Sequence, residues 1–147
     1  MTRQAHLVGS VGLSDAETVF ATVADELGTC CSRIPDGETG ARSHWVRWQK
    51  GTFEGAAFLE AVGHKQLPGF DDTVERIFYK LKDGADPADL DFGELGYARE
   101  ALASWTLFER MVEAGRIGRD VRFQVSIPTP VALLTTFVEL PDRAACE

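Results

Sequence analysis

Cysteine is scarce in this chain, and its arrangement excludes several kinds of protein. The 147 residues include three cysteines, Cys30, Cys31 and Cys146. An odd number with two adjacent residues is a poor basis for a disulfide framework, so a reducing, cytoplasmic location fits best. The spacing of these cysteines also does not match a structural zinc site.

Long apolar runs and an excess of positive charge are missing as well. The first residues lead into an apolar stretch too short for a signal peptide, and no run is long enough to span a bilayer. The formal net charge is −8, so the basic surface that attracts nucleic acid or anionic membrane is missing. We therefore expect neither a nucleic-acid partner nor a membrane partner. A small anionic substrate stays open, because individual arginines could bind it.

The bulk composition is that of a globular protein. Hydrophobic residues make up 44% of the chain and charged residues 26%, which is typical of folded domains. A chain of this length can bury a hydrophobic core. We predict a single domain over residues 1–147.

Strand-like and helix-like segments alternate through the first third of the chain. His6–Ser10 is a short apolar run that ends in Gly-Ser and predicts a buried strand. Ser14 and Glu17 form a capping box that predicts the start of a helix, and Gly28 predicts its end. Cys30–Ile34 predicts a second strand.

The rest of the chain continues this alternation. Residues 42–50 are predicted to be helical, and residues 74–82 fit either a helix or a strand, with aromatic content favouring the strand. Residues 95–114 predict the longest helix, residues 121–127 a third strand, and residues 131–138 a final helix. The apolar stripe of the longest helix consists of Ala98, Ala101, Leu102, Trp105, Phe108, Met111 and Val112.

About three strand–helix units predict an α/β fold with a parallel sheet and right-handed crossovers. Polar side chains lie at or just past the carboxyl ends of the predicted strands. Ligand sites of parallel α/β folds lie at that edge. The polar side chains in question are Ser10, Asp36, Glu38, Gln124, Ser126 and Thr129.

The segment Ile34–Gly40 is the most informative stretch, because it places two carboxylates and two glycines directly after a strand. Asp-Gly is also common in plain turns, so Asp36 and Glu38 fit either a solvated turn or a polar site. Arg42 could form an ion pair with one of these acids or bind a substrate carboxylate, and we favour the ion pair. His44 fits a partly exposed helical residue better than a catalytic base.

Three motifs resemble a known family. They are Val8-Gly9-Ser10, Arg33-Ile-Pro-Asp-Gly-Glu-Thr-Gly40 and Phe123-Gln-Val-Ser-Ile-Pro-Thr-Pro130. In this order, each at a strand end, they resemble the cobalamin-independent methionine synthase-like proteins. That family belongs to a superfamily of (β/α)8 TIM barrels that also contains uroporphyrinogen decarboxylase. The resemblance extends over essentially the whole chain.

The resemblance implies a methyltransferase-type barrel that binds a small thiol or amino acid-like substrate. Gly9 and Ser10 match the Gly-Ser that helps to bind the amino acid moiety of homocysteine, and Glu38 corresponds by position to a glutamate with the same task. The Ile-Pro-Thr-Pro turn resembles a turn that lines the same barrel mouth. The expected substrate-binding residues are Gly9, Ser10, Asp36, Glu38, Gln124, Ser126 and Thr129, with Arg42 and His44 as further candidates.

Two features depart from the family. Its methyltransferases bind zinc through histidine and cysteine ligands from later strands, and no motif here matches those ligands, so we assign no cofactor and no catalytic residue. A complete barrel needs about 250 residues, so we expect an incomplete barrel, an N-terminal portion of about three strand–helix units with an open sheet edge.

The incomplete barrel leaves three functional readings open. The first is a homocysteine S-methyltransferase-like enzyme once the missing barrel half completes it. The second is an inactive truncation, or a subunit whose open edge is covered by a second chain or by self-association. The third is a metal-independent, decarboxylase-like enzyme of the same superfamily.

Overall fold

The computed structural model describes residues 4–65 and 76–139, which form a mixed α/β structure. The chain divides into two compact units, one within Met1–Trp45 and Gly96–Ile127, the other within Val46–Leu95 and Pro128–Glu147. Short 3-10 helices cover Gly28–Cys30, Gly40–Gln49 and Pro87–Asp89. The helices and strands are α1 (Ala16–Leu27), β1 (Arg33–Pro35), α2 (Lys50–Gly55), β2 (Leu59–Lys65), β3 (Arg76–Leu81), α3 (Tyr97–Glu113), β4 (Arg122–Gln124) and α4 (Pro130–Phe137).

The first unit contains a parallel strand pair, as the alternation of strands and helices predicts. β1 and β4 run parallel, with Ile34 opposite Phe123. The segment before α1 pairs with the chain just before and just after β1. It does so through two parallel bridges, Ala5 to Cys31 and Ser10 to Gly37. The predicted strand His6–Ser10 therefore lies in the expected place, but it pairs at two separate points and forms no continuous ladder.

The other two predicted strands of this unit are shorter in the structure than in the sequence analysis. Cys30 belongs to a 3-10 turn that follows α1, so the ladder of β1 begins only at Arg33. β4 covers Arg122–Gln124, so the predicted strand over residues 121–127 is wrong at its first position and its last three. Ser126 therefore lies in the segment that leaves the sheet.

The N-terminus of α1 differs from the predicted capping box. The N-cap is Asp15, whose Oδ1 accepts the Thr18 N–H at 2.8 Å, while the Ser14 hydroxyl donates to Asp15 Oδ2 at 2.6 Å. Aspartate is as good an N-cap as serine, and its charge favours the positive end of the helix dipole. Gly28 ends the helix, as predicted.

Stability at acidic pH is expected to depend on this cap. The hydrogen bonds from the Ser14 hydroxyl and the Thr18 amide hold the pKa of Asp15 below its ordinary value of 3.8. A lowered pKa means that the charged cap stabilises the fold above pH 3.8 and that this stabilisation is lost as the pH falls through the folded-state pKa.

Asp15→Asn retains a good cap but has no charge to lose. The difference in unfolding free energy between the native protein and this variant should therefore shrink from about pH 5 to about pH 2. Denaturant titrations at several pH values measure this difference. A difference that stays constant over that range would contradict the assignment.

The long helix α3 is confirmed, but its predicted apolar stripe is partly wrong. Phe108 and Met111 are buried, whereas Leu102 is 65% exposed and Trp105 is 40% exposed. The buried residue between them is Ser104, at 6% exposure. Residues two positions apart on a helix do not share a face, so burying Ser104 turns Leu102 outward. The core of this unit consists of Val19, Phe20, Val23, Cys31, Ile34, Phe108, Met111 and Ile117.

The second unit contains an antiparallel pair, which lies outside the three strand–helix units that the sequence predicts. β2 and β3 pair antiparallel, from Leu59 opposite Leu81 to Lys65 opposite Arg76. A parallel connection needs about a dozen or more residues, and the segment 66–75 is shorter than that. The strand prediction for residues 74–82 is confirmed over Arg76–Leu81.

Aromatic rings dominate the core of the second unit. Phe53 stacks on Phe137 with ring centroids 4.4 Å apart and contacts Tyr79 at 6.1 Å. Burial, followed by the nearby charge of Glu54, raises the pKa of Tyr79 above its ordinary value. The helices predicted over residues 42–50 and 131–138 are confirmed, the first as the 3-10 helix Gly40–Gln49 and the second as α4.

Two of the three cysteines, Cys30 and Cys31, lie within the described residues. Cys146 lies outside the described residues. Cys31 is buried as a small apolar residue, but Cys30 is exposed.

In the described ranges, no helix combines the length and the apolarity needed to cross a membrane.

Candidate functional site

The loop after β1 is a compact turn built around one aspartate. Asp36 Oδ1 accepts the backbone N–H of Glu38 at 3.1 Å, an Asx-turn that reverses the chain. Gly37 has a φ of 80° and Glu38 a φ of 49°. Glu38 is the non-glycine residue with positive φ in the described part of the chain, and positive φ is unfavourable for L-residues. The turn therefore holds the Glu38 side chain in a direction that extended backbone would not give it.

Asp36 itself is a supporting residue in this structure. Its side chain is buried, and Oδ2 accepts from Arg42 Nη2 at 2.8 Å and from the Ser104 hydroxyl at 2.8 Å. The ion pair with Arg42 confirms the favoured reading of that arginine. Arg42 Nε also lies 3.8 Å from Glu100 Oε2. These contacts stabilise the loop, and the substrate role expected for Asp36 stays a prediction.

Ser10 and Glu38 meet at the carboxyl ends of adjacent parallel segments. The Ser10 hydroxyl donates to Glu38 Oε2 at 2.5 Å. The N–H of Val11 donates to the carbonyl of Gly37 at 2.9 Å and holds the two segments in register. The structure thus brings together the Gly-Ser end and the acidic loop that the sequence separates by 28 positions.

Gly9 lies close to residues of two other segments, Glu38 and Ser126. A β-carbon at Gly9 would lie 2.7 Å from Ser126 Oγ and 3.3 Å from Glu38 Oε2, and the φ of Gly9 is 148°. Both the close contact and the backbone conformation require glycine. The oxygens of Ser126 and Glu38 therefore both lie close to Gly9.

Two buried oxygens of the segment that begins with β4 have no hydrogen-bond partner among the described residues. They are Ser126 Oγ, close to Gly9, and Gln124 Oε1, at the end of β4. The amide nitrogen of Gln124 is engaged, since Nε2 donates to the Leu7 carbonyl at 2.9 Å. Buried polar atoms nearly always have a partner, so these two oxygens are the candidate ligand acceptors of this region. We call Gly9, Ser10, Glu38, Gln124 and Ser126 the polar rim.

The remaining sequence candidates lie elsewhere. Thr129 belongs to the second compact unit, where it is the N-cap of α4 and its Oγ1 accepts the Ala132 N–H at 3.3 Å. His44 is exposed on the 3-10 helix. For both residues the substrate role stays a prediction.

Ser104 and Glu100 are the residues that sequence reasoning missed. Both lie on α3, which was interpreted only as an apolar core helix. Ser104 lies one helical turn from Ala101, Leu107 and Phe108, which are apolar. A hydroxyl on such a face needs a buried partner. That requirement is the sequence signal that could have indicated Ser104, although its partner Asp36 lies 68 positions away.

The zinc implied by the family resemblance does not fit the described residues. In residues 4–65 and 76–139, no three His, Cys, Asp or Glu side chains are grouped so that they could hold a metal ion. Cys31, the buried cysteine, donates its thiol to the carbonyl of Arg33.

Comparison with known proteins adds no relative: no family model, curated protein or solved structure matches this chain.

Proposed function

We propose that the polar rim binds the ammonium group of a small amino acid-like molecule, as in the methyltransferase-type barrels that the sequence resembles. The observation that carries this proposal is the close approach of Ser126 Oγ and Glu38 Oε2 to Gly9, which brings two hydrogen-bond acceptors together at one point. In this reading Glu38 and Ser126 contact the ligand, and Ser10 orients the carboxylate.

The chemistry of the rim supports a ligand that donates hydrogen bonds. Glu38 contributes a carboxylate, and Gln124 contributes a carbonyl oxygen whose amide nitrogen is already engaged. An ammonium group has three donors and a positive charge, so it suits this set of acceptors. A ligand carboxylate would instead meet the negative charge of Glu38.

The arrangement of the strands supports the barrel part of the proposal. Three segments of the first unit lie side by side and parallel, in the order of the segment before α1, β1 and β4. Polar side chains follow the carboxyl ends of all three, which is where barrels of parallel strands carry their sites. We propose that these segments are the first strands of a (β/α)8 barrel.

Binding is the part of the function that these residues account for. Zinc, where a methyltransferase of this type binds it, activates the substrate thiol for attack on a methyl group. The described residues do not form such a centre. We therefore propose a substrate-recognition role for this chain and assign the catalytic step to none of the described residues.

Calorimetric titration with homocysteine tests the proposal. The native chain should bind homocysteine and should bind the matching mercaptobutanoic acid, which lacks the amine, much more weakly. Glu38→Gln and Ser126→Ala should each weaken homocysteine binding by about tenfold to a hundredfold, because each removes a hydrogen bond to a charged group. The thermal midpoint of Ser126→Ala should change little, since its hydroxyl has no hydrogen-bond partner among the described residues.

Glu26→Gln is the matched control, because Glu26 is exposed on α1 in the same unit. It should bind homocysteine like the native chain. Equal affinity for homocysteine and the amine-free acid, or no loss of affinity in Glu38→Gln, would overturn the proposal.

A further inference from the structure

We propose that Ser104, on α3, is a positioning residue that holds Glu38 in its ligand-binding geometry through Asp36; this inference rests on the proposed function. The route has two hydrogen bonds. The Ser104 hydroxyl donates to Asp36 Oδ2 at 2.8 Å, and Asp36 Oδ1 accepts the N–H of Glu38 at 3.1 Å. One carboxylate therefore joins the long helix to the backbone of the residue that faces the ligand.

Glu38 needs such support because its backbone is in an unfavourable conformation. Its φ of 49° lies in the left-handed region, which L-residues other than asparagine and aspartate seldom occupy. Conformations of this kind persist where the surroundings hold them, and they concentrate at functional sites. The hydrogen bond from the Glu38 amide to Asp36 is a local contact that stabilises the backbone conformation of Glu38.

Arg42 and Ser104 have different tasks at Asp36, although both donate to the same oxygen. Arg42 supplies the positive charge that a buried carboxylate needs, but its long side chain can follow a rotation of that carboxylate. Ser104 is short and is fixed to α3, so its hydroxyl defines one direction for Oδ2. With Oδ2 held in this way, Oδ1 points at the Glu38 amide.

The position of Ser104 is unusual for a residue with only a packing role. It is 6% exposed on the buried face of α3, in the same unit as the apolar core residues Phe108 and Met111. Alanine is a better helix former and would avoid burying a hydroxyl. The contact that the serine makes here, and that an alanine could not make, is the one with Asp36.

Hydrogen exchange at the Glu38 amide tests this proposal without any ligand. Ser104→Ala should speed the exchange of the Glu38 N–H by about tenfold, the effect of weakening one hydrogen bond. The amides of Val19 and Phe20 in the core of α1 should exchange as in the native chain. The same variant should bind homocysteine several-fold more weakly, although it removes no group that contacts the ligand.

Ser43→Ala is the matched control, because Ser43 also donates its hydroxyl near this loop, to the Gly40 carbonyl at 2.7 Å, but is exposed. It should leave the Glu38 exchange rate unchanged. Ser104→Thr, which restores a hydroxyl, should bring the rate back toward that of the native chain.

The two proposals fail in different ways. A native exchange rate at Glu38 in Ser104→Ala would overturn the positioning role. A native chain that does not bind homocysteine, together with faster exchange in Ser104→Ala, would overturn the proposed ligand and support the positioning role.

Discussion

Replacing Asp36 by alanine is expected to lower the free energy of unfolding by about 3 kcal/mol, the usual loss when one partner of a buried ion pair is removed. Asp36 is 3% exposed, and the Arg42 side chain beside it is nearly as buried. The substitution leaves the guanidinium group with no close buried carboxylate. Its remaining acidic neighbour is Glu100, at 3.8 Å and partly exposed.

The loss extends beyond the ion pair. The hydroxyl of Ser104 and the backbone N–H of Glu38 lose their acceptor at the same time. A buried donor without an acceptor costs about 1–3 kcal/mol when water cannot reach it. The Asx-turn also disappears, so the polar rim should lose its geometry together with the stability.

Denaturant unfolding of Asp36→Ala and Asp25→Ala measures this effect. Asp25 lies in the same unit and pairs with Arg116 at 3.8 Å, but both side chains of this pair are mostly exposed. Exposed pairs contribute about 0–1 kcal/mol, so Asp25→Ala should be close to neutral. If the two variants lost the same stability, the buried network around Asp36 would not support the loop as the structure indicates.

Replacing Gly37 by alanine is expected to destabilise the protein by about 2–4 kcal/mol, the sum of overpacking and backbone strain. A β-carbon at Gly37 would lie 2.6 Å from Val19 Cγ2 and 3.3 Å from Val11 Cβ. Val19 is fully buried on α1, and a β-branched residue in a helix has essentially one rotamer. The valine therefore has no way to move aside, and the loop and the helix must separate.

Gly40→Ala separates the two causes of this loss. Gly40 belongs to the same loop and has a φ of 64°, but a β-carbon there would have no neighbour within 4 Å. It should show only the backbone strain, about 1 kcal/mol. Thermal or denaturant unfolding of both variants gives the comparison, and equal losses would show that the contact with Val19 is not close.

The helices were largely predictable because their determinants are local. Apolar spacing and the stop at Gly28 predict α1, and the same reasoning locates α3 and α4 to within a few residues. The exact cap of α1 was not predictable, because Ser14 and Asp15 are adjacent and equally suitable. The exposed face of α3 was also not predictable, because turning the helix toward Ser104 depends on Asp36, far away in the chain.

The strands were less predictable because their pairing is a tertiary property. β1 and β4 have only three residues each, too few for alternation to locate their ends. The antiparallel partner of β3 is β2, in a segment whose sequence has no clear alternation. Strand direction there follows from the short connection between the two strands.

For the candidate site, the sequence alone determined which residue types gather at the carboxyl ends of the parallel strands. That inference needs only the order of strands and polar residues, because parallel strands end at a common edge. The loop Ile34–Gly40 was the main signal, and the position of Gly9 and Ser10 beside it follows from the same rule.

Only the tertiary structure decided which role each of the two acids of that loop has. Asp36 and Glu38 are chemically alike and two residues apart, so no pattern distinguishes them. The oxygens of Asp36 accept hydrogen bonds from Ser104, Arg42 and the Glu38 amide. The Glu38 carboxylate instead accepts from the Ser10 hydroxyl at the polar rim. The difference depends on side chains that folding brings from distant parts of the chain, because a carboxylate's role is set by the donors that surround it.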